Sequence, residues 1–584
     1  MCSTALYEYM ARGDKTQQST RRKVLAAMGA GAAVGLAGCT SGDTTSTPTE
    51  GGDDGTETTS TPVDPENVQT GEFVASAGAN PGTFDPTIIT DATSASTIGA
   101  FSYESLVAPL FDLSEFRGEL ATDWTVDGTT YTFTLREGVT FHTGDEMTAE
   151  DVAFSLDRTS GTTNNADVSW ISDVTVVDEY TVELTSEEPY APYLTNLSAV
   201  PILPSTVDGI STEPETDQFA FTEESVGTGP FVLDTFQPED RVVFTPFDDY
   251  WYDGEDYPTT APWDRVTIRV ITEQVTQEEA MANGELGMID NPAPFELQQW
   301  ETQTGTVVAD SAVGFDFITY PVQVSPYTNN KFRRGLTKLI PRTDIIEAVF
   351  GGRATGLAGP ISPGLGAYFD AEREQELIDE YVAEDPEAAE TLIEEALQEE
   401  GIDPPFEMAL ITNVNRTRER WMEVIQQRFD EIDALSAELD VRAFDDLVPF
   451  LLDPEGAAQS SDVVGIGWTG GSDPNGHIEQ LLRSDQHVPD GFNWNLYENE
   501  EMDSLIQEGQ TTIGADNRRP IYDDIQELVA DDLPMANMWT SEQIDVVNPD
   551  AVNDANNWQP HPNSSNRYDT LYSPHLDQVT LPPQ

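Results

Sequence analysis

The stretch Trp124–Arg158, WTVDGTTYTFTLREGVTFHTGDEMTAEDVAFSLDR, decides the fold. Within it Tyr131, Phe133 and Leu135 alternate with Thr132, Thr134 and Arg136, the period-two pattern of a half-buried strand. Glu137-Gly138 turns the chain, and Val139 and Phe141 predict a second short strand that carries the apolar face onward. After a turn at Thr143–Glu146, Thr148 is placed as a helix N-cap with Glu150 and Asp151 opposing the dipole of the first turn. Val152 and Leu156, four apart, mark the buried face of that helix. The local physics is thus a hairpin followed by a helix, a compact piece of α+β structure with no chemistry of its own.

Outward from this stretch, 584 residues exceed the size of one hydrophobic core, so two or more folding units are expected. The chain carries 27 Lys+Arg against 106 Asp+Glu, a formal net charge of −79. The acidic residues are spread along the whole length, and 10 Trp, 25 Phe and 18 Tyr suffice to build cores, which argues against disorder. In molar salt the Debye length is roughly 3 Å, so repulsion among surface carboxylates is screened. The composition therefore points to a halophilic, archaeal source, and it excludes nucleic acid and acidic membrane surfaces as partners.

The first 39 residues read as an address. Arg21-Arg22 precedes a mildly apolar Gly/Ala-rich run, Val24 to Gly38, that is too short for the ~20 residues a membrane span needs. The run ends in Leu36-Ala37-Gly38-Cys39, the pattern of a lipobox after a twin-arginine (Tat) signal, so Cys39 is the expected lipidated N-terminus. An uncleaved anchor is the alternative. The only other cysteine, Cys2, lies upstream of that site, which excludes a disulfide framework. Residues 40–70, rich in Thr, Ser, Gly, Asp and Pro, read as a disordered tether with a reach on the order of 30 Å.

The string LREGVTFHTGD-MTAEDVAFSLDR closely resembles the signature of the extracytoplasmic solute-binding proteins of family 5, the peptide, dipeptide and nickel-type receptors of ABC importers. Further fragments keep the family's order: Phe84-Asp85-Pro86, Tyr103-Glu104-Ser105-Leu106, Glu119–Trp124, Val226–Leu233 with Asp249-Tyr250-Trp251, the segment Gln277–Asp290, and Lys331–Pro363. The resemblance covers roughly residues 72 to 575. It implies an α/β (mixed α+β) fold of the periplasmic-binding-protein type II. Lobe I would comprise 71–115, 226–315 and 546–584, lobe II 316–545, and 116–225 would form an extra subdomain of the N-terminal lobe. Amphipathic helices are expected at Pro386–Glu400 and Arg416–Leu435, a helix-compatible segment spans Ser94–Val107, and strands are expected at Asp440–Phe444 and Asp462–Trp468.

No catalytic constellation stands out. Carboxylate pairs carry no information in a chain this acidic, and the five histidines, His142, His477, His487, His561 and His575, lack metal-ligand spacing, so neither a metal site nor a cofactor is expected. Gly227-Thr-Gly229 leads into Pro230 and a strand pattern rather than a helix, which argues against a phosphate cradle. Gly465-Ile-Gly467-Trp-Thr-Gly470 matches G-x-G-x-x-G, but Pro474 and Gly476 interrupt the helix that a dinucleotide site requires. In peptide-binding family members the aspartate three residues past this tryptophan pairs with the ligand's α-ammonium. Here that position is Gly471, and Asp473-Pro474 follows, so either Asp473 takes over the ammonium or the anchor is absent. The resemblance further places backbone pairing with the ligand at about Ile89, Thr90, Asp91 and Ala92, with Tyr103 and Trp468 as aromatic walls or packing residues.

The reading that results is a monomeric, non-enzymatic receptor, exported and lipid-anchored on the outer face of the cytoplasmic membrane. It would bind an oligopeptide or dipeptide between two lobes and present it to ABC permease subunits. An oligosaccharide or metal chelate in the same fold, or a secreted polymer hydrolase, are the alternatives. Sequons at Asn196, Asn415 and Asn563 could carry glycans.

Overall fold

The computed structural model describes residues 71–551, apart from 90–91, 111–112, 114, 163, 252–262, 291, 293, 295–296, 302–305 and 490. The twin-arginine run, Cys39, the 40–70 segment, Thr90, Asp91 and Asn563 lie outside the described residues.

The strand Thr130–Leu135 forms as its alternation requires, with Tyr131, Phe133 and Leu135 buried. Its hairpin partner differs from the expected one. Ala121–Asp127 pairs with it across the turn at Gly128, whose φ of +65° suits a residue without Cβ. Val139 and Phe141 are fully buried but form no strand; only an isolated bridge, Thr140 to Glu146, closes that loop. The central strand already has Ala121–Asp127 on one side and Thr181–Ser186 on the other, so no edge is left for a third neighbour. With Ile171–Asp178 these strands make a four-stranded antiparallel sheet in the order Ala121–Asp127, Thr130–Leu135, Thr181–Ser186, Ile171–Asp178.

The helix Ala149–Ser160 starts at Thr148 as the sequence indicates. The Asp151 carboxylate takes the Thr148 N–H at 2.8 Å through one oxygen and the Ser205 N–H at 2.8 Å through the other. One side chain thus caps the helix and staples it to the chain that returns along its flank.

Lobe I is built on a four-stranded sheet in the order Glu72–Ala77, Arg265–Val270, Arg241–Pro246, Phe231–Gln237, with the first pair parallel. Gly227 approaches Ser102 so closely that a Cβ would lie 1.9 Å from the Ser102 carbonyl oxygen, which explains the glycine-rich turn as a close contact before a strand. Lobe II is built on Phe315–Thr319, Val463–Trp468, Phe406–Asn413 and Leu435–Arg442. Helices Pro386–Glu400 and Arg416–Asp430 pack Ile393, Trp421, Ile425 and Phe429 against one face of that sheet. The strand expected at Asp440–Phe444 instead runs Leu435–Arg442, because Leu435 and Ala437 supply its buried face and Phe444 opens the next helix. The Ser94–Val107 segment is helical only to Ser102, and Val107 belongs to a short strand.

One long strand, Met535–Val547, belongs to both lobes. Its first part pairs with Phe315–Thr319 and its last part with Met288–Asp290 and Thr306–Ser311. The buried residues fall into separate clusters. The core of the antiparallel sheet takes in Leu106, Val107, Val200 and Ile202; Leu203, Ile210, Phe221 and Val226 pack with the lobe I sheet; and Leu113, Val313 and Phe315 pack with the lobe II core around Trp468. Among the described residues no helix is long and apolar enough to cross a membrane.

Candidate functional site: the 468–477 loop and the seam it faces

The strand Val463–Trp468 ends at the lobe boundary, and the loop that follows is shaped by two glycines pressed together. A Cβ on Gly470 would lie 2.2 Å from the Gly476 carbonyl carbon, and one on Gly476 would lie 2.0 Å from the Gly470 carbonyl oxygen. Gly471 has φ +81°, which lets the chain reverse between them. The His477 Nε2 lies 2.9 Å from the Gly471 carbonyl oxygen and donates to it, while Trp468 Nε1 donates to the Gly476 carbonyl at 2.9 Å. The ring of His477 is fully buried, and burial pushes its pKa down to about 4, against the smaller opposing pull of the Gly471 carbonyl and Asp473. It is therefore a neutral donor at neutral pH.

Trp468 is 2% exposed and packs against Phe492 and Trp494 in the lobe II core, so its ring belongs to the floor beneath the loop. Asp473 is buried too, and its carboxylate is occupied. Arg518, from the helix Ala515–Asp532, grips it with two parallel bonds, NH1 to Oδ2 at 2.6 Å and NH2 to Oδ1 at 2.8 Å. Oδ1 also accepts the Asn475 N–H at 2.8 Å. The guanidinium is completed by the Tyr368 and Tyr522 hydroxyls and the Gly509 carbonyl. Burial works against the charge on Arg518, yet the Asp473 carboxylate more than offsets it and holds the guanidinium firmly protonated. With this geometry Asp473 secures the loop to the helix behind it.

Across the boundary, the segment that follows the strand Thr181–Ser186 meets this region. The Ala191 N–H donates to the Gln510 carbonyl at 2.7 Å, Gln507 Nε2 donates to Glu188 Oε2 at 3.3 Å, and the Thr195 and Ser472 hydroxyls lie 3.4 Å apart. These contacts are few and polar.

Tyr103 and Ile89 stand elsewhere, in the lobe I core. Tyr103 is 7% exposed and caps the short helix Ala100–Ser102, with burial raising the pKa of its phenol. Ile89 is half-buried, and its carbonyl accepts Asn164 Nδ2 at 3.0 Å, as does that of Thr87 at 3.1 Å. The same loop is held from below by Arg158, the last residue of the opening stretch. Its fully buried guanidinium pairs with Asp85 and, at 2.8 Å, with Asp217, and its Nε donates to Thr87 Oγ1 at 2.9 Å.

Arg518 and the 187–195 segment were not identified from sequence. Arg518 lies 45 residues from Asp473 in an amphipathic helix, and only the scarcity of basic residues could have drawn attention to it.

Comparison with known proteins agrees with this architecture. The family model for bacterial extracellular solute-binding proteins, family 5 Middle, matches residues 115–486. The glutathione-binding protein GsiB of Salmonella paratyphi A is 27% identical over 476 residues, 79% of this chain and 88% of the relative. The dipeptide-binding protein of Escherichia coli is 25% identical over 495 residues, 80% of this chain and 89% of the relative. Among solved structures, the periplasmic binding protein DppA from Helicobacter pylori, in complex with peptide STSA, superposes with a TM-score of 0.71 at 21% identity over 88% of this chain and 99% of that one. The substrate-binding protein CtaP from Listeria monocytogenes gives a TM-score of 0.74 at 20% identity, with the same shares. A family model spanning most of the chain establishes that this chain belongs to the extracellular solute-binding proteins of family 5.

Proposed function

We propose that this protein is the tethered extracellular receptor of an ABC importer and takes a peptide-sized solute between its lobes. The observation that carries the reading is the strand Met535–Val547, which joins both lobes and forms a hinge, together with a lobe seam that polar contacts such as Ala191 to Gln510 cross. A seam of that kind opens at little cost, and a solute that touches both walls shifts the population toward the closed form. Relatives named for glutathione and dipeptides support a peptide over an oligosaccharide or a metal chelate. The closed receptor would hand its solute to membrane permease subunits without chemistry of its own. Tat export, lipidation at Cys39, a salt-adapted archaeal origin and a monomeric state complete the proposal. In it Asp473 supports the loop, while Ile89 and its neighbours supply backbone to the ligand.

A thermal-melt screen in molar KCl tests the reading. Short peptides should raise the melting temperature in a concentration-dependent way, because a ligand at a hundred times its Kd stabilises the folded state by about 2.7 kcal/mol. Oligosaccharides and nickel chelates should not. A shift with a sugar or chelate alone, or turnover of a labelled polymer, would overturn it.

A further inference from the structure

A cavity of about 550 Å³ opens where the four-stranded antiparallel sheet meets lobe II, within the size range of small-ligand sites. One wall is Trp170, Glu187, Glu188 and Tyr190, which flank the strands Ile171–Asp178 and Thr181–Ser186, and the opposite wall is Gln507 and Gln510 from the helix Glu500–Thr511. The walls therefore belong to different lobes, and the bonds Ala191 to Gln510 and Gln507 to Glu188 run along the cavity's edge.

Its chemistry is one-sided. No lysine, arginine or histidine lines it, and its only carboxylates, Glu187 and Glu188, are both exposed. Trp170 and Tyr190 lie stacked, ring centroids 5.3 Å apart and 16° from parallel, and give a π-surface that favours cations. Burial raises the Tyr190 phenol, and the nearby carboxylates of Glu479 and Asp473 add to that, each of them paired with an arginine, Arg483 and Arg518 respectively. On the far wall Gln510 is 6% exposed, and its Oε1 is taken by Arg483 at 3.2 Å. Its Nε2 has no hydrogen-bond partner among the described residues, although the side chain lines the cavity. An amide donor that lines the cavity with no protein acceptor among the described residues is open to a ligand carbonyl.

We infer that this seam cavity receives the amino-terminal end of a peptide solute, the α-ammonium between Glu187 and Glu188 and the first carbonyl on Gln510 Nε2, with the first side chain against Trp170 and Tyr190. The inference rests on the peptide reading above and deepens it. Gly471 removes the carboxylate expected beyond Trp468, and Arg518 occupies Asp473, so the ammonium has to be met by other groups, and here they stand on the opposite lobe. A solute held this way touches both walls and draws the lobes together.

The test compares a pool of synthetic tri- to pentapeptides with the same pool N-acetylated, read by competitive binding in molar KCl on the wild type, on E187Q/E188Q and on Q510L. The wild type should bind the free-amine pool at least about tenfold more tightly than the acetylated pool. E187Q/E188Q, whose substituted side chains are exposed, should melt like the wild type without peptide and lose that preference. Q510L should weaken both pools. Equal binding of the two pools by the wild type, or an undiminished preference in E187Q/E188Q, would overturn the inference while leaving the peptide reading intact. No binding of either pool would overturn both.

Discussion

Asp473→Asn separates a loop strut from a ligand anchor. The Asp473 and Arg518 side chains are 10% and 4% exposed, so the pair is shielded from salt, and molar KCl, which screens the acidic surface, leaves it largely untouched. Removing one charge of a buried pair costs about 3–5 kcal/mol, because the partner is left uncompensated. Arg518 would keep its bonds to Gly509, Tyr368 and Tyr522, which places the loss at the lower end, about 3 kcal/mol. Equilibrium urea unfolding in molar KCl, followed by tryptophan fluorescence, should show that loss. Replacing both partners with apolar residues, Asp473→Leu with Arg518→Met, should recover much of it, since no buried charge remains. Peptide affinity should change only as far as the loop shifts. If Asp473→Asn unfolds at the wild-type urea concentration yet loses peptide binding tenfold or more, the carboxylate faces solute and the strut reasoning is wrong.

Two further predictions concern protons. Burial, with Glu119 close by, pushes the Glu104 carboxyl up to about 8, even though Thr228, Tyr250 and Trp251 donate to it. The folded state therefore holds a proton that the unfolded chain gives up, so this group's contribution falls as pH rises from about 4.5 toward 8. Glu104→Gln keeps an oxygen for Thr228 and Trp251 and should show a flatter decline of urea stability over that window; an unchanged slope would mean that Glu104 is ionised in the fold. His477 has the opposite sign. Its pKa lies below the ordinary histidine value, so the unfolded state binds the extra proton, and stability should fall by about 1.4 kcal/mol for each pH unit from 6.5 down to about 4. Ring-nitrogen NMR should find His477 neutral and protonated on Nε2 above pH 5, and a midpoint near 6.5 would refute its burial.

Much of the fold was legible because local patterns and tertiary burial agree there. Tyr131, Phe133 and Leu135 alternate because one face of their antiparallel sheet is core, and Thr148 caps a helix that tertiary contacts then reinforce through Asp151 and Ser205. Reading failed where pairing is non-local. Val139 and Phe141 are as apolar as a strand needs, but the edge they would have joined is already filled by Thr181–Ser186, some 40 residues on. The candidate site was half legible. The departure at Gly471 is visible in the sequence, whereas the engagement of Asp473 is not, since nothing local distinguishes a capping aspartate from one gripped by Arg518.

By itself the sequence determined the family, through the 124–158 signature and the order of the fragments around it, and the acidic surface, through composition. Both are properties of short strings or of sums over the chain, and they survive without coordinates. Only the tertiary structure showed that the Trp468 ring is buried beneath the loop, that Arg518 grips Asp473, and that Arg158 reaches beneath the loop that ends at Ile89. It also brought Glu187 and Glu188 to face Gln510 across a seam, although more than 300 residues separate them. The physical reason is that a charge acquires its role from the partner and the burial that folding assigns, and in a chain with 106 acidic residues the sequence cannot mark which few of them are enclosed.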